Sequence, residues 1–537
     1  MAKFVSLTGS QRHVRAGSKP IGPVDNTEVA TITVLLRSGA NREELEKWVL
    51  EQSAKPVADR TYLSKQKLAS QYGAVPSDLN QLEQYAAKHN LTVVTRDANS
   101  RAIRLRGQIG DLVKAFPANL RMYQHATGIY RGRTGEIQIP PEFAGKITGI
   151  LGFDTRRKRR ASFRTRVSAG GGPGGGNGEA PVFFAKRYNF PPQFQGVQLD
   201  GAGQTIAIIE LGGGYRATDL QSYFSELGLP MPSISQVSVD SADNAPSTPD
   251  SADGEVMLDI EVAGSVAPKA NLLVYFAPNQ GDAGFTDAIR SAVHDPERRV
   301  DVISISWGSP EPSASESQEL AAYHDLFVDA AALGITVCVA TGDHGVADLP
   351  ANQWDGAIHV DHPAVDPMVL ACGGTQIDAN NADVVWNDGN PFDVSSTDGG
   401  GWASGGGISK CYSVPAYQQN SHLPVSLDGG TPGRGVPDVS MSATDYFVRV
   451  DSVEYSSGGT SAVAPLMSAL IALLNQAKKK NVGFLNPIIY ANPGTMHDVT
   501  QGTNGIAGTI GGYNAGPGWD ACSGLGTPDG TAILNTI

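Results

Sequence analysis

A chain of 537 residues with 40% hydrophobic and 18% charged residues has the balance of an ordinary globular protein and the length for two or more domains. Four cysteines (Cys338, Cys372, Cys411, Cys522) are too few and too scattered for a disulfide framework or a zinc site, and no unbroken apolar run is long enough for a membrane span. The net charge of −13 conceals opposite halves: of 41 basic and 54 acidic residues, positions 1–170 hold 28 and 14.

A basic first part and an acidic remainder predict that one docks on the other, and that acid loosens the contact by neutralising carboxylates. No nucleic-acid-binding pattern accompanies the basic charge, so neither nucleic acid nor membrane is an expected partner. Met1 to Thr8 lacks the apolar stretch of a secretory signal.

The first strand is predicted over 29–37, which is rich in β-branched residues. Asn41-Arg42-Glu43-Glu44 opens an amphipathic helix through Trp48 and Leu50. Another helix is expected over 77–88, capped by Ser77, with Leu79, Leu82 and Ala86 at helical spacing. Strands over 91–96 and 101–106 and a helix over 109–116 complete a small α/β sandwich of ferredoxin-like type, spanning 1–160. Arg156-Arg157-Lys158-Arg159-Arg160 is either a processing signal or, more commonly for such runs, a solvated charge cluster. The Gly-rich stretch 169–178 marks a flexible, protease-accessible linker over 161–185. From 186 to 537 the pattern changes to apolar strands at 205–211, 270–276, 300–305 and 334–340, alternating with helices at 254–264, 284–294 and 317–332. That is the pattern of an α/β domain with a doubly wound parallel sheet, whose sites lie at the carboxyl ends of strands.

Ser461 stands in Gly458-Gly459-Thr460-Ser461-Ala462-Val463-Ala464-Pro465, before a helix expected to reach Leu474. Glycines allow close backbone approach, and a helix start supplies amide donors to a nucleophile. The run is similar to the nucleophile segment of subtilisin-like folds. A nucleophilic serine needs a base, yet none of the ten histidines precedes Gly-Thr, the usual setting of the base in that fold. Glu255 and Asp259 stand one turn apart on one face of an apolar helix. Two carboxylates in a dry site cannot both ionise easily, so they can share a proton and serve as a base in acid. Asp343 follows a buried strand; it is either a turn residue or a neutral carboxyl that donates to an oxyanion.

Ser461, Glu255, Asp259 and Asp343 together resemble the sedolisin family of serine-carboxyl peptidases, most closely its kumamolisin members. The likeness extends to the motifs Ile208–Tyr215, Asp259–Gly264, Tyr275–Asn279, Ser304–Gly308 and Gly435–Val439, over essentially the whole chain. It implies roles: Ser461 as nucleophile, Glu255 as general base and acid, Asp259 as its orienting carboxylate, and Asp343 as oxyanion residue. Glu210 and Trp307 match residues that extend the carboxylate network. The family usually has Ser after the oxyanion Asp; here it is His344, expected to point to solvent. The resemblance further implies one structural calcium ion held by side chains of Asp498 and Asp520 and carbonyls of Val499, Gly516 and Gly518. It also implies a secreted, monomeric enzyme acting on polypeptides and held inactive by its own prodomain, which is removed in acid. Two rivals are a histidine-dependent hydrolase, disfavoured by the absent His-Gly-Thr, and an inactive calcium-stabilised binding protein, disfavoured by the intact four residues.

Overall fold

The computed structural model describes residues 4–157, 159–167, 178–248, 251–350, 353–389, 402–506 and 511–537. The first domain contains β1 (Val29–Leu36), α1 (Arg42–Ser53), α2 (Pro76–Lys88), β2 (Thr92–Asp97), β3 (Ala102–Gln108), α3 (Ile109–Ala115) and β4 (Ile147–Leu151). Its antiparallel sheet has the order β2-β3-β1-β4, the ferredoxin-like arrangement. Asn41 caps α1 through the Glu43 amide. Ser77 does not cap α2: the cap position is Val75, and Pro76, whose fixed φ suits a first turn, starts the helix.

Two short strands follow, β5 (Arg160–Ala161) and β6 (Arg164–Val167), then α4 (Pro181–Arg187). Within the linker expected over 161–185, residues 161 and 164–167 are in strands and 181–185 in a helix; 168–177 lie outside the described residues. Arg159 is 3% exposed and bonds Glu319, Tyr323 and Ser309, so this part of the basic run is not solvated. Carboxylates of the second domain draw it in.

The second domain is built on β7 (Thr205–Glu210), β8 (Ser233–Ser238), α5 (Asp253–Val266), β9 (Asn271–Phe276), α6 (Gly284–His294), β10 (Val302–Ile305), β11 (Trp307–Pro310), α7 (Ser317–Leu333), β12 (Thr336–Ala340), β13 (Leu370–Ile377), β14 (Asp383–Val385), β15 (Val439–Ser442), β16 (Tyr446–Val450), β17 (Val453–Gly458) and α8 (Thr460–Lys478). Its eight-stranded sheet runs β8-β9-β7-β10-β12-β13, with β15 parallel and β14 antiparallel to β13. Every residue of β7 is buried, as two covered faces require. Period-2 alternation sends Ile206 and Ile208 into the core of α5 and α8, and Ala207 and Ile209 into that of α6 and α7. By length and composition α8 could cross a membrane, but 89% of its apolar window is buried inside the domain; it is the central core helix. All four cysteines are free.

Opposite charge joins the two domains. Arg12 reaches Asp282, Glu316 and Glu319; Arg42 and Arg101 converge on Asp329; Arg104 meets Asp240. Leu45, Val49 and Leu68 add apolar contact with the layer of α6 and α7.

Candidate active site

The strand order reverses beside β7, and the residues singled out from the sequence gather at the carboxyl ends of β7, β10 and β12. Helix α5 is apolar around its circumference and buried along all 14 residues, which carries Glu255 and Asp259 into the interior at 0% exposure. Helix α8 packs against α5 and brings Ser461, on its first turn, to the same place. Gly459, at φ 119, precedes that helix; a Cβ there would lie 2.2 Å from the Ser162 carbonyl oxygen and 2.6 Å from Asp343 Oδ2. Only glycine fits.

The four residues form one continuous buried constellation with Glu210 and Trp307. Trp307 Nε1 donates to Glu210 Oε2 at 2.9 Å. Ser306 Oγ contacts both oxygens of Asp259 at 2.9 Å. Burial pushes Glu210, Glu255 and Asp259 all well above the carboxylate range. For Glu255 the charges of Asp259 and Glu210 add to desolvation, and the Ser461 hydroxyl opposes it. Neither Glu255 oxygen has a partner within hydrogen-bond distance, and Ser461 Oγ donates instead to the Ser306 carbonyl at 3.3 Å. A hydroxyl and a carboxyl this loosely arranged are ordinary for a resting site, where hydrogen bonds are often long.

Asp343 is held from the helix that carries Ser461: Thr460 donates to its Oδ1 through both N–H and Oγ1, each at 2.8 Å. Ser306 and Thr460 lie inside the quoted motifs, yet the sequence reading assigned them no role. The signal was their adjacency to Trp307 and Ser461. His344 is half-buried rather than turned fully to solvent. Its ring lies 5.1 Å from that of Trp402, and burial, then the charge of Arg160, pushes its pKa down to about 3.

The chain itself occupies the cleft. β5 pairs antiparallel with β11, Arg160 opposite Gly308 and Ala161 opposite Trp307. Ser162 N–H donates to Ser306 O at 3.1 Å, and Ser461 N–H donates to Ser162 O at 2.9 Å. The Phe163 ring packs where a side chain on Gly254 would stand.

The five residues expected at a metal also converge. Asp498 Oδ2 accepts from Gly518 N–H at 2.8 Å and Asp520 Oδ2 from Gly516 N–H at 3.1 Å, while Ser523 Oγ links Asp520 to the Val499 carbonyl. Two carboxylates flanking a Gly-rich loop, with its backbone carbonyls, are the hard oxygen donors that calcium takes. Among the described residues no group of three or more His, Cys, Asp or Glu forms a metal cluster, so backbone oxygens would have to complete the shell.

The chain has recognisable relatives. Residues 16–156 match the pro-kumamolisin activation domain, and 243–510 match the subtilase family. Kumamolisin from Bacillus sp. (strain MN-32) is 42% identical over 547 aligned positions, covering 99% of this chain and 96% of that one. Sedolisin from Pseudomonas sp. (strain 101) is 29% identical over 87% of this chain and 80% of its own length. The structure of Pseudomonas sedolisin, a serine-carboxyl proteinase complexed with two molecules of pseudo-iodotyrostatin, superposes with a TM-score of 0.55 at 31% identity, covering 68% of this chain and 98% of that one.

Proposed function

The chain belongs to the sedolisin family of serine-carboxyl peptidases, and we propose that it is the zymogen of an acid-acting endopeptidase whose first substrate is its own Ser162–Phe163 bond. The observation that carries this is the seat of Ser162: its carbonyl oxygen accepts the Ser461 N–H beside Asp343, while its own N–H donates to Ser306 O, as an extended substrate would. The carbonyl lies where a developing oxyanion needs donors.

In the proposed reaction the Ser461 hydroxyl turns from Ser306 to Glu255, gives up its proton there, and attacks the Ser162 carbonyl carbon. The Ser461 N–H and a protonated Asp343 stabilise the oxyanion. Glu255 returns the proton to the Phe163 nitrogen, the peptide bond breaks, and Ser162 remains as an ester on Ser461. Water, deprotonated by Glu255, then releases it. Carboxylates serve where imidazole would be fully protonated, several units below its pKa of about 6.5. Asp259, held by Ser306, and Glu210, held by Trp307, keep the shared charge near Glu255.

Incubation of the purified chain near pH ~4, within the ordinary carboxylate range, with sequencing of new N-termini over time, tests the reading. Phe163 is expected as the first new N-terminus, and Ser461→Ala is expected to stay full length. A first cut elsewhere, or processing by the Ser461→Ala protein, overturns it.

We further propose one calcium ion at Asp498, Asp520 and the carbonyls of Val499, Gly516 and Gly518. Bound there, calcium would supply charge neutralisation that ties these loops together. Calorimetry should show added chelator lowering Tm of the unaltered chain by several degrees, with little further change in Asp498→Asn; equal sensitivity of both would remove the site. The enzyme is proposed to work outside the cell as a monomer on polypeptides, which culture fractionation and light scattering check.

A further inference from the structure

The residues after Ser162–Phe163 lie on a surface that the catalytic groups do not account for. β6 runs antiparallel to β17, the strand that leads directly into Ser461, with Arg164 opposite Gly458 and Arg166 opposite Ser456. The other edge of β17 pairs with β16. Which main-chain groups face which way follows from two independent observations. The hairpin joining β16 to β17 turns through Asp451 and Ser452 alone, with φ of 49 and 67, the type I′ geometry that makes the flanking pair, Val450 and Val453, hydrogen-bonded. At the far end, Glu179 N–H donates to Asp445 O and Phe447 N–H donates to Glu179 O, so positions 445 and 447 face away from β17 while Tyr446 faces it. Alternation then gives Tyr455 and Ser457 to β16, and turns the N–H and C=O of Ser456 and Gly458 outward to the edge where β6 lies.

We propose that this edge of β17 is a substrate-binding site, which captures by strand addition the main chain of the second and fourth residues following the scissile bond. An exposed strand edge is a template for an extended chain, and this one is in register with the nucleophile because only Gly459 and Thr460 separate it from Ser461. The linker residues Arg164 and Arg166 hold those two positions; Thr165, between them, turns its N–H and C=O away. The site therefore reads backbone at alternate positions and requires a leaving segment of several residues, as suits an endopeptidase.

One consequence concerns maturation. Glu179 bridges Tyr446 on the hairpin's opposite edge, so a chain cut before Phe163 still carries its own strand tethered beside the β17 edge, at high effective concentration. It competes with substrate until a second cut frees it.

The inference rests on Ser162–Phe163 being the bond under Ser461. Its test uses acid-matured enzyme and quenched fluorescent peptides with the residues of 156–162 before the bond and one to six residues after it. Expected is a rise in kcat/KM of about fivefold on adding the second residue and again on adding the fourth, the worth of one neutral hydrogen-bonded position. N-methylation at the second or fourth residue should remove that gain, and N-methylation at the third should leave kcat/KM within about twofold. Cleavage at the expected bond with a rate independent of leaving-segment length, or equal loss from N-methylation at the third residue, overturns the edge site and leaves the proposed function intact. Peptides that are not cut, or are cut elsewhere, overturn both.

Discussion

Two sets of buried carboxylates in this molecule respond to acid in opposite directions. At the domain interface Asp329 is fully buried, and despite desolvation the guanidiniums of Arg101 and Arg42, with His294, hold its pKa far below the carboxylate range. In the active site Glu210, Glu255 and Asp259 are just as buried, but their neighbours are other carboxylates, a Ser hydroxyl and an indole N–H, and all three are pushed up. Burial alone does not decide ionisation; the sign of the nearest charge does.

The stability consequences follow from which state binds more protons. Asp329 is depressed, so its contribution to docking is complete above its free value, about 3.9, and is lost as pH falls through the depressed value. The active-site acids are raised, so the folded catalytic domain holds protons that the unfolded chain has released. Its stability falls as pH rises above the free carboxylate values. Asp329 therefore weakens the docking only in acid below about 3.9, where the protonated set of the domain beneath is at its most stable.

The largest expected effect is chemical. Glu255→Gln should lower kcat/KM at acid pH by about a thousandfold or more, in line with loss of a general base in a unit of interdependent groups; a loss under tenfold in a peptide assay would detach Glu255 from the reaction. Next comes the interface. Asp329→Asn leaves Arg101, 3% exposed, without its buried anion, a change worth about 3 kcal/mol. Self-processing of the full chain should begin at higher pH than in the unaltered protein. Onset at the same pH by gel would show that this cluster does not set the release point.

The smallest effect sharpens the active-site side. Ser306→Ala removes the hydroxyl that lowers the pKa of Asp259, so the carboxylate set keeps its protons to higher pH. The acid limb of the kcat/KM profile should move up in pH, with kcat reduced about tenfold, the worth of one hydrogen bond to a charged group. A fall in kcat with an unmoved profile would make Ser306 a packing residue only.

Much of this was legible because the patterns are local. β7, β9, β10 and β12 show as apolar β-branched runs, and their observed limits differ from the predicted ones by at most two residues at either end. The one-turn spacing of Glu255 and Asp259 places them on one helix face in any helix. Where local rules competed, the reading slipped: Pro76 outranked Ser77 at the start of α2 because proline's backbone suits a first helical turn. His344 read as a solvent-facing residue because its neighbour Trp402 is 58 positions away, and the quiet roles of Ser306 and Thr460 depend on carboxylates contributed by other elements.

The sequence by itself determined the two α/β layers, the opposite charges of the halves, and the candidate serine with its carboxylates, since periodicity, charge and short motifs are properties of neighbouring residues. Only the tertiary structure decided that Arg159 is buried against Glu319, that Ser162 lies under Ser461, and that the chain beyond it lies along β17. By composition the linker is flexible, because nothing within it can pair its own backbone. In the folded chain two strand edges from distant positions, β11 and β17, satisfy those groups and align one peptide bond with the serine.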